Sequence, residues 1–153
     1  MKRTGVVIGV VVAMFLLSLT FSFFTVRMLQ GRQMKGVKTA SETDPQLAVA
    51  EQTAKNTLDP FLTKLKAGTV QGAVKVEFNS PVGPEYIWVD HLQFLPNDNF
   101  SGKLANQPKL LTGKKKGDEV TFAKADIVDW ISQNPDGTQD GDFTGEVLRR
   151  EGG

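Results

Sequence analysis

An uncharged apolar run of 22 residues extends from Gly5 to Val26. As an α-helix rising ~1.5 Å per residue, it would be ~33 Å long, enough to cross a hydrocarbon core of ~30 Å. The run has no polar stripe, which distinguishes it from a helix packed on a globular core. It therefore predicts a transmembrane helix within an N-terminal membrane anchor, residues 1–30, so that residues 5–26 are the contact with the membrane.

The alternative for this run is a cleaved signal peptide, which would release a secreted protein. A signal peptide has an apolar core of roughly 7–15 residues and small residues before the cleavage site. The run is longer, and Thr20 and Ser22 form only a weak cleavage pattern. We therefore expect an uncleaved anchor and a single-pass membrane protein.

The charges that flank the run do not fix its orientation. The α-amino group, Lys2 and Arg3 give about three positive charges before it. Four basic residues follow it: Arg27, Arg32, Lys35 and Lys38. A basic start followed directly by an apolar run is typical of a signal-anchor, so we expect the soluble domain outside the cytoplasm.

The rest of the chain is mildly acidic. Residues 39–153 contain 12 basic and 17 acidic residues, a net charge of 12 − 17 = −5. Such a domain is poorly suited to the phosphate backbone, so we expect no nucleic-acid partner. The chain has no cysteine, which excludes thiolate metal ligands and a cysteine nucleophile.

A polar, basic linker, residues 31–43, precedes the predicted soluble domain, residues 44–150, and residues 151–153 form a tail. Asp44 and Pro45 are typical of a helix start, and apolar residues then recur at spacings of three and four. Pro60 predicts a kink or a new helix start within this segment. Gly68 predicts the helix end.

After Gly68 the apolar residues alternate with polar ones, which is typical of half-buried strands. Val74, Val76 and Phe78 form the first such strand, and Glu85–Phe94 forms the second. The expected faces of the second strand are Tyr86, Trp88, Leu92 and Phe94 on one side, and Ile87, Val89 and His91 on the other.

Turns are predicted around Pro96–Asn99 and before a strand at Glu119–Ala123. The apolar residues of Ala125–Ile131 predict a short inserted helix, and Phe143, Val147 and Leu148 predict a last short strand. The expected fold class is α+β, with one amphipathic helix packed on a small antiparallel sheet of short strands.

Several short motifs occur in a fixed order along this region. They are Glu85-Tyr-Ile-Trp88-Val89, Phe100-Ser-Gly102-Lys-Leu104-Ala-Asn106-Gln-Pro108, Lys116-Gly117-Asp118-Glu-Val120-Thr-Phe122, Asp126-Ile127-Val-Asp129-Trp130, Gly141-Asp-Phe143-Thr144 and Val147-Leu148-Arg149. In this order the chain resembles the bacterial YegJ-like domain, domain of unknown function 2314. The resemblance implies a bacterial domain without an assigned chemistry. Tyr86 departs from the family, where histidine is common, and Asp136–Asp142 is longer and more acidic than usual.

Candidate catalytic residues are few. His91 is the one histidine, and Asp90 would point to the opposite face of a strand, away from it. Asp126 and Asp129 would share one face of the predicted helix, where they could form an acid/base pair or hold a divalent ion. The simpler interpretation makes Asp126 a helix cap and Asp129 a surface residue. We therefore expect no catalytic residue, no metal site and no cofactor.

The remaining candidates are surface features. A basic turn, Lys114, Lys115 and Lys116, could contact an anionic lipid or a phosphate, and otherwise is a solvated turn. Trp88 and Trp130 are expected in the core, because aromatic residues dominate burial in small domains. The residues of a possible ligand or partner surface are Tyr86, Trp88, His91, Lys114, Lys115, Lys116 and Trp130.

Three hypotheses for function follow. The first is a membrane-anchored, non-enzymatic binding domain, for an unknown protein or small molecule, on the extracytoplasmic side of a bacterial inner membrane. The second is a carboxylate-dependent hydrolase that uses Asp126 and Asp129. The third is a cytoplasm-facing domain whose basic linker contacts anionic lipid.

Overall fold

The computed structural model describes residues 44–151. The predicted transmembrane helix, the linker and the last two residues lie outside the described residues. The elements in chain order are helix α1 (Pro45–Lys66), strands β1 (Gln71–Ser80), β2 (Gly83–Leu95), β3 (Asn99–Leu104) and β4 (Glu119–Ala123), a 3₁₀ turn (Lys124–Asp126), strands β5 (Ile127–Gln133) and β6 (Gln139–Gly141), and helix α2 (Phe143–Glu151). The predicted α+β class is confirmed.

Helix α1 begins and ends where its sequence predicts. The Asp44 carboxylate accepts a hydrogen bond from the Gln46 N–H at 2.8 Å, and Gly68 adopts φ +71° just beyond the last turn. The helix continues through Pro60, so the prediction of a new start there is wrong. Its buried residues, Ala50, Ala54, Leu58, Phe61 and Leu62, lie on one stripe.

The six strands form one antiparallel sheet in the order β4-β3-β2-β1-β5-β6. Helix α1 packs mainly against β5, and also touches the start of β1. Trp130 on β5 stacks on Phe61 with ring centres 4.7 Å apart, and its Nε1 donates to the Ala54 carbonyl at 3.2 Å. Gly72 on β1 has no Cβ at a place where one would collide with the Phe61 ring.

The segment Ala125–Ile131 is a 3₁₀ turn followed by a strand, so the predicted inserted helix is wrong. The register of β5 against β1 shifts by one residue: Lys75 pairs with Asp129, and the next residue, Val76, pairs with Ile127. Val128 is the extra residue of this bulge, and it allows Ile127 and Trp130 to face the same core although they are three residues apart. A bulged strand thereby acquires the three-residue spacing that is typical of a helix.

The segment that was predicted as a last strand is helix α2. Thr144 and Val147 are its buried residues, and the Phe143 ring meets the Trp130 ring edge to face at 5.7 Å. Asp142 directly precedes the helix, and its carbonyl accepts a hydrogen bond from the Glu146 N–H at 2.9 Å. Phe143 and Val147 are four residues apart, a spacing that fits one face of a helix as well as one face of a strand, so the short apolar pattern does not distinguish the two.

Strand β2 changes face part-way along its length. Ile87 and Val89 are fully buried, but the pairing with β3 shifts between Asp90 and Gln93. Beyond this bulge Leu92 packs against the core, and the centre of the Phe94 ring lies 5.3 Å from that of the buried Phe100. The prediction that Leu92 and Phe94 share a face with Tyr86 is therefore wrong.

Candidate functional site

Asp129 on β5 is buried, with 0% of its surface exposed. Its Oδ1 accepts hydrogen bonds from the main-chain N–H of Trp130 at 2.8 Å and of Phe143 at 3.3 Å. Its Oδ2 accepts from the N–H and the hydroxyl of Thr144 at 2.9 and 2.6 Å. The first N–H groups of a helix have no partner inside the helix. Asp129 therefore caps α2 from a neighbouring strand, and its prediction as a surface residue is wrong.

Lys75 on β1 completes a buried polar cluster. Its Nζ donates to the Thr144 hydroxyl at 2.5 Å, lies 3.9 Å from Asp129 Oδ2 and sits 4.9 Å from the centre of the Trp88 ring. Lys75 is paired in register with Trp88 on one side and Asp129 on the other. The sheet register alone thus brings these three side chains together.

Burial acts on both charges of this cluster. It raises the pKa of Asp129, while the hydrogen bond from Thr144 and the charge of Lys75 oppose the rise. Burial also lowers the pKa of Lys75, and the charge of Asp129 opposes that fall. Each charge therefore partly offsets the effect of burial on the pKa of the other, as expected for a buried ion pair.

Asp126 has a different and separate role. Its Oδ2 accepts a hydrogen bond from the Ala123 N–H at 3.0 Å. The Lys124 N–H donates to the Asp98 carbonyl at 2.8 Å, and alternation along the ladder then points the Ala123 N–H outward from edge strand β4. Asp126 thus covers a donor on the sheet edge, and it shares no helix face with Asp129.

His91 lies at the β2 bulge with φ +52°. This conformation brings its Nδ1 within 2.7 Å of Asp90 Oδ1, so the prediction that Asp90 points away is wrong. The His91 side chain is 44% exposed and that of Asp90 is 14% exposed. Gly102 faces the bulge from β3, where a Cβ would lie 2.6 Å from the Asp90 carbonyl oxygen.

The three large aromatic candidates differ in exposure. Trp130 is buried, as predicted, at 7% exposure, whereas Tyr86 is 42% exposed. Trp88 is half-buried and carries the Lys75 ammonium over its ring. Only Trp130 therefore has the packing of a core tryptophan.

An open cleft lies beside the β1–β2 hairpin. It has a volume of about 640 Å³. Its apolar lining comes from Phe78, Leu110, Leu111 and Val120, and its polar lining includes Asn79, Ser80, Lys114 and Glu119. The cleft is open to solvent, and its lining combines apolar and polar side chains.

Glu85 on β2 fixes one wall of this cleft. Its carboxylate accepts hydrogen bonds from three successive main-chain N–H groups, those of Lys109 at 2.6 Å, Leu110 at 2.9 Å and Leu111 at 3.1 Å. We call residues 109–116 the lysine loop. Charge-assisted hydrogen bonds are the stronger kind, so Glu85 holds the start of the lysine loop against the sheet.

A family model described as "Uncharacterized protein conserved in bacteria (DUF2314)" matches residues 44–152, more than two thirds of the chain. The chain belongs to this family. The resemblance to domain of unknown function 2314 is therefore confirmed. Neither a curated protein nor a solved structure matches the chain.

The sequence did not single out several residues that organise this DUF2314 domain. Lys75 appeared as an ordinary polar position of a strand, and Glu85 as the start of the next one. Thr144 lay in a segment predicted as a strand. Their roles depend on contacts between residues that are 15 to 69 positions apart in the sequence, which no local pattern predicts.

Two further findings concern the described part of this DUF2314 chain. Within residues 44–151, no group of three or more histidine, aspartate or glutamate side chains is placed to hold a metal ion. In the same range, neither helix has the length and apolar character needed to cross a bilayer. The predicted span, residues 5–26, lies outside that range.

Proposed function

We propose that this DUF2314 protein is a membrane-tethered, non-enzymatic binding domain on the extracytoplasmic side of a bacterial inner membrane. The proposal rests on a comparison between the cleft, which is open, and the carboxylates of Asp126 and Asp129, which are engaged in hydrogen bonds within the protein. The cleft is open and has a mixed lining, whereas Asp129 is fully engaged in capping α2. Asp126 is engaged at the sheet edge, so these two carboxylates do not form an acid/base pair.

The tether part of the proposal rests on the sequence. The uncharged run from Gly5 to Val26 has the length of a membrane span. The basic start before it favours a signal-anchor, which would place the domain outside the cytoplasm. The described domain carries its own core and its own helix caps, so it is suited to act at the end of a linker.

We expect the protein to stay in the membrane pellet after alkaline and high-salt washes, because residues 5–26 would be held by the bilayer. Deleting residues 1–30 is expected to move a folded domain into the soluble fraction. Immunoblotting of the fractions measures both results. A mature chain that begins after residue 20 and is free in the soluble fraction would instead support a cleaved signal peptide.

Thiol labelling in cells tests on which side of the inner membrane the domain lies. Because the chain has no cysteine, Thr138→Cys would add one thiol in the exposed turn after β5. A maleimide that cannot cross the inner membrane should label it in cells with a permeable outer envelope. Labelling only after the inner membrane is broken would favour the cytoplasm-facing alternative.

Binding at the cleft is tested by a photocrosslinking amino acid placed at Thr112, which lines the cleft. The matched control is Thr138, another exposed threonine far along the chain. We expect a discrete crosslinked species from position 112 and none from position 138, measured by a shift on gels of irradiated membranes. Equal crosslinking at both positions would contradict a binding site in the cleft.

The Asp90–His91 pair favours one alternative, a hydrolase that uses His91 as a general base. A carboxylate that orients a histidine ring is part of the arrangement that activates a nucleophile or a water. Turnover of ester substrates that is lost in His91→Gln and retained in Asp126→Asn would favour this alternative over the binding domain.

A further inference from the structure

The tip of the β1–β2 hairpin and the lysine loop form one continuous surface. Val82 at the tip is 76% exposed, and Leu110 in the lysine loop is 36% exposed. Pro81 and Leu110 line the same cleft as Lys114, so the apolar tip and the lysines are neighbours. We call Pro81, Val82 and the lysine loop the tip surface.

The tip surface is a local concentration of positive charge. The lysine loop holds four of the twelve basic residues in 44–151 and no acidic residue. Within the described chain, Lys109, Lys115 and Lys116 have no ion pair, and Lys114 Nζ contacts only the Glu119 carbonyl, at 3.3 Å.

Three carboxylates lie beside these lysines. Glu85 is engaged by three main-chain N–H groups of the lysine loop, and Asp118 Oδ2 accepts from the Lys115 N–H at 3.0 Å. Glu119 is exposed. Two of the three are therefore engaged by main-chain N–H groups, while the four lysines of the loop are exposed.

We propose that the tip surface docks on an anionic phospholipid bilayer, the membrane that holds residues 5–26. The inference rests on the tether of the proposed function. An exposed apolar side chain surrounded by lysines matches the chemistry of an anionic interface, where the apolar group enters the headgroup boundary and the lysines meet lipid phosphates. One valine and a few lysines bind weakly alone, but a tether raises their effective concentration at the surface.

The linker allows this contact. The predicted linker, residues 31–43, together with residues 27–30 after the predicted span, could reach at most ~60 Å if fully extended, while a domain of this size has a radius of gyration of about 13 Å. Any face of the domain can thus reach the bilayer, so surface chemistry decides which face does. At Val82 itself a protein partner is less favoured, because the apolar area at the tip is small and the surrounding groups are lysines; the cleft is a separate, concave part of the same surface.

The test uses the full chain reconstituted in lipid nanodiscs. A nitroxide is attached at Val82→Cys, the only thiol in the protein, and its accessibility to dissolved oxygen and to a water-soluble nickel chelate is measured. The matched control is Val49→Cys, because Val49 is a valine that is 66% exposed on helix α1. Each is compared in discs of phosphatidylcholine and in discs that contain phosphatidylglycerol.

We expect the label at position 82 to become several-fold more accessible to oxygen than to nickel in anionic discs only, and the label at 49 to remain in water in both. Replacing all four loop lysines by glutamine should reverse the change at 82, since each lysine near an anionic surface contributes on the order of a fivefold effect. High salt should weaken it.

Other outcomes would overturn the inference. If the label at 82 stays in water in anionic discs, the tip surface does not dock on lipid, although incorporation of the chain into discs still supports the tether. If the label is protected in native membranes but not in discs of purified lipid, the occupant is a protein. Failure of the chain to enter discs would overturn the tether itself.

Discussion

Replacing Trp130 by alanine is expected to lower the free energy of unfolding by about 3–5 kcal/mol. The ring is 7% exposed, stacks on Phe61 and meets Phe143. Its Nε1 also donates to the Ala54 carbonyl and the Thr57 hydroxyl. The substitution would therefore open a cavity where α1, β5 and α2 meet. Urea denaturation of the variant that lacks residues 1–30 measures the change.

The matched control is Trp88→Ala. Trp88 is half-buried, and its main interaction is with the Lys75 ammonium 4.9 Å from the ring centre. Its loss should therefore cost clearly less than the loss of Trp130. Equal unfolding midpoints for the two variants would contradict the core position of Trp130.

The second large effect is expected for Asp129→Asn, about 3–5 kcal/mol of lost stability. Each Asp129 oxygen accepts two hydrogen bonds. An amide would replace one of these acceptors by a donor that faces two other donors, and it would leave the buried Lys75 charge without its partner. Denaturation with urea and hydrogen exchange of the α2 amides measure the result.

Asp126→Asn is the matched control for this substitution. Asp126 is exposed and accepts one hydrogen bond, which an amide oxygen can still accept, so we expect a change within about 0.5 kcal/mol. Adding Lys75→Met to Asp129→Asn should recover part of the loss, because it removes the uncompensated charge. Equal stability of the two asparagine variants would contradict the capping role of Asp129.

The parts of the fold that the sequence predicts well are those set by local chemistry. Asp44 and Pro45 begin α1, and Gly68 follows its end with a positive φ. Strand β4 has the predicted bounds, Glu119–Ala123. In each case a cap, a turn glycine or a regular alternation acts within a few residues.

The errors arise where a bulge interrupts the alternation. The shift between Lys75 and Val76 gives β5 the apolar spacing of a helix, and the shift after Asp90 moves Leu92 and Phe94 to the core side. Bulges are stabilised by the partner strand. Gly102 on β3, for example, leaves room for the β2 bulge. The residues around the bulge in the sequence of β2 do not indicate this contact.

The candidate site depended even more on distant contacts. Lys114 lines the cleft and Tyr86 is exposed, in agreement with their selection as surface candidates. Asp129 was selected for a helix face that does not exist, and its actual partners are Thr144 and Lys75. Glu85, whose carboxylate fixes the lysine loop, stood out in the sequence only as the first residue of a family motif and of a strand, with no role for its side chain.

The cap that Asp129 supplies to α2 also predicts an order of events in folding. A helix of nine residues that contains Gly145 is marginal on its own in water, since nucleation costs more than so short a helix returns. The N–H groups of Phe143 and Thr144 find their acceptor, the Asp129 carboxylate, only when β5 is in place. Helix α2 should therefore form after the β1–β5 pairing, contribute little to the folding transition state and mainly slow unfolding. We therefore expect helix α2 to form only on a sheet in which β5 is paired with β1 in the correct register.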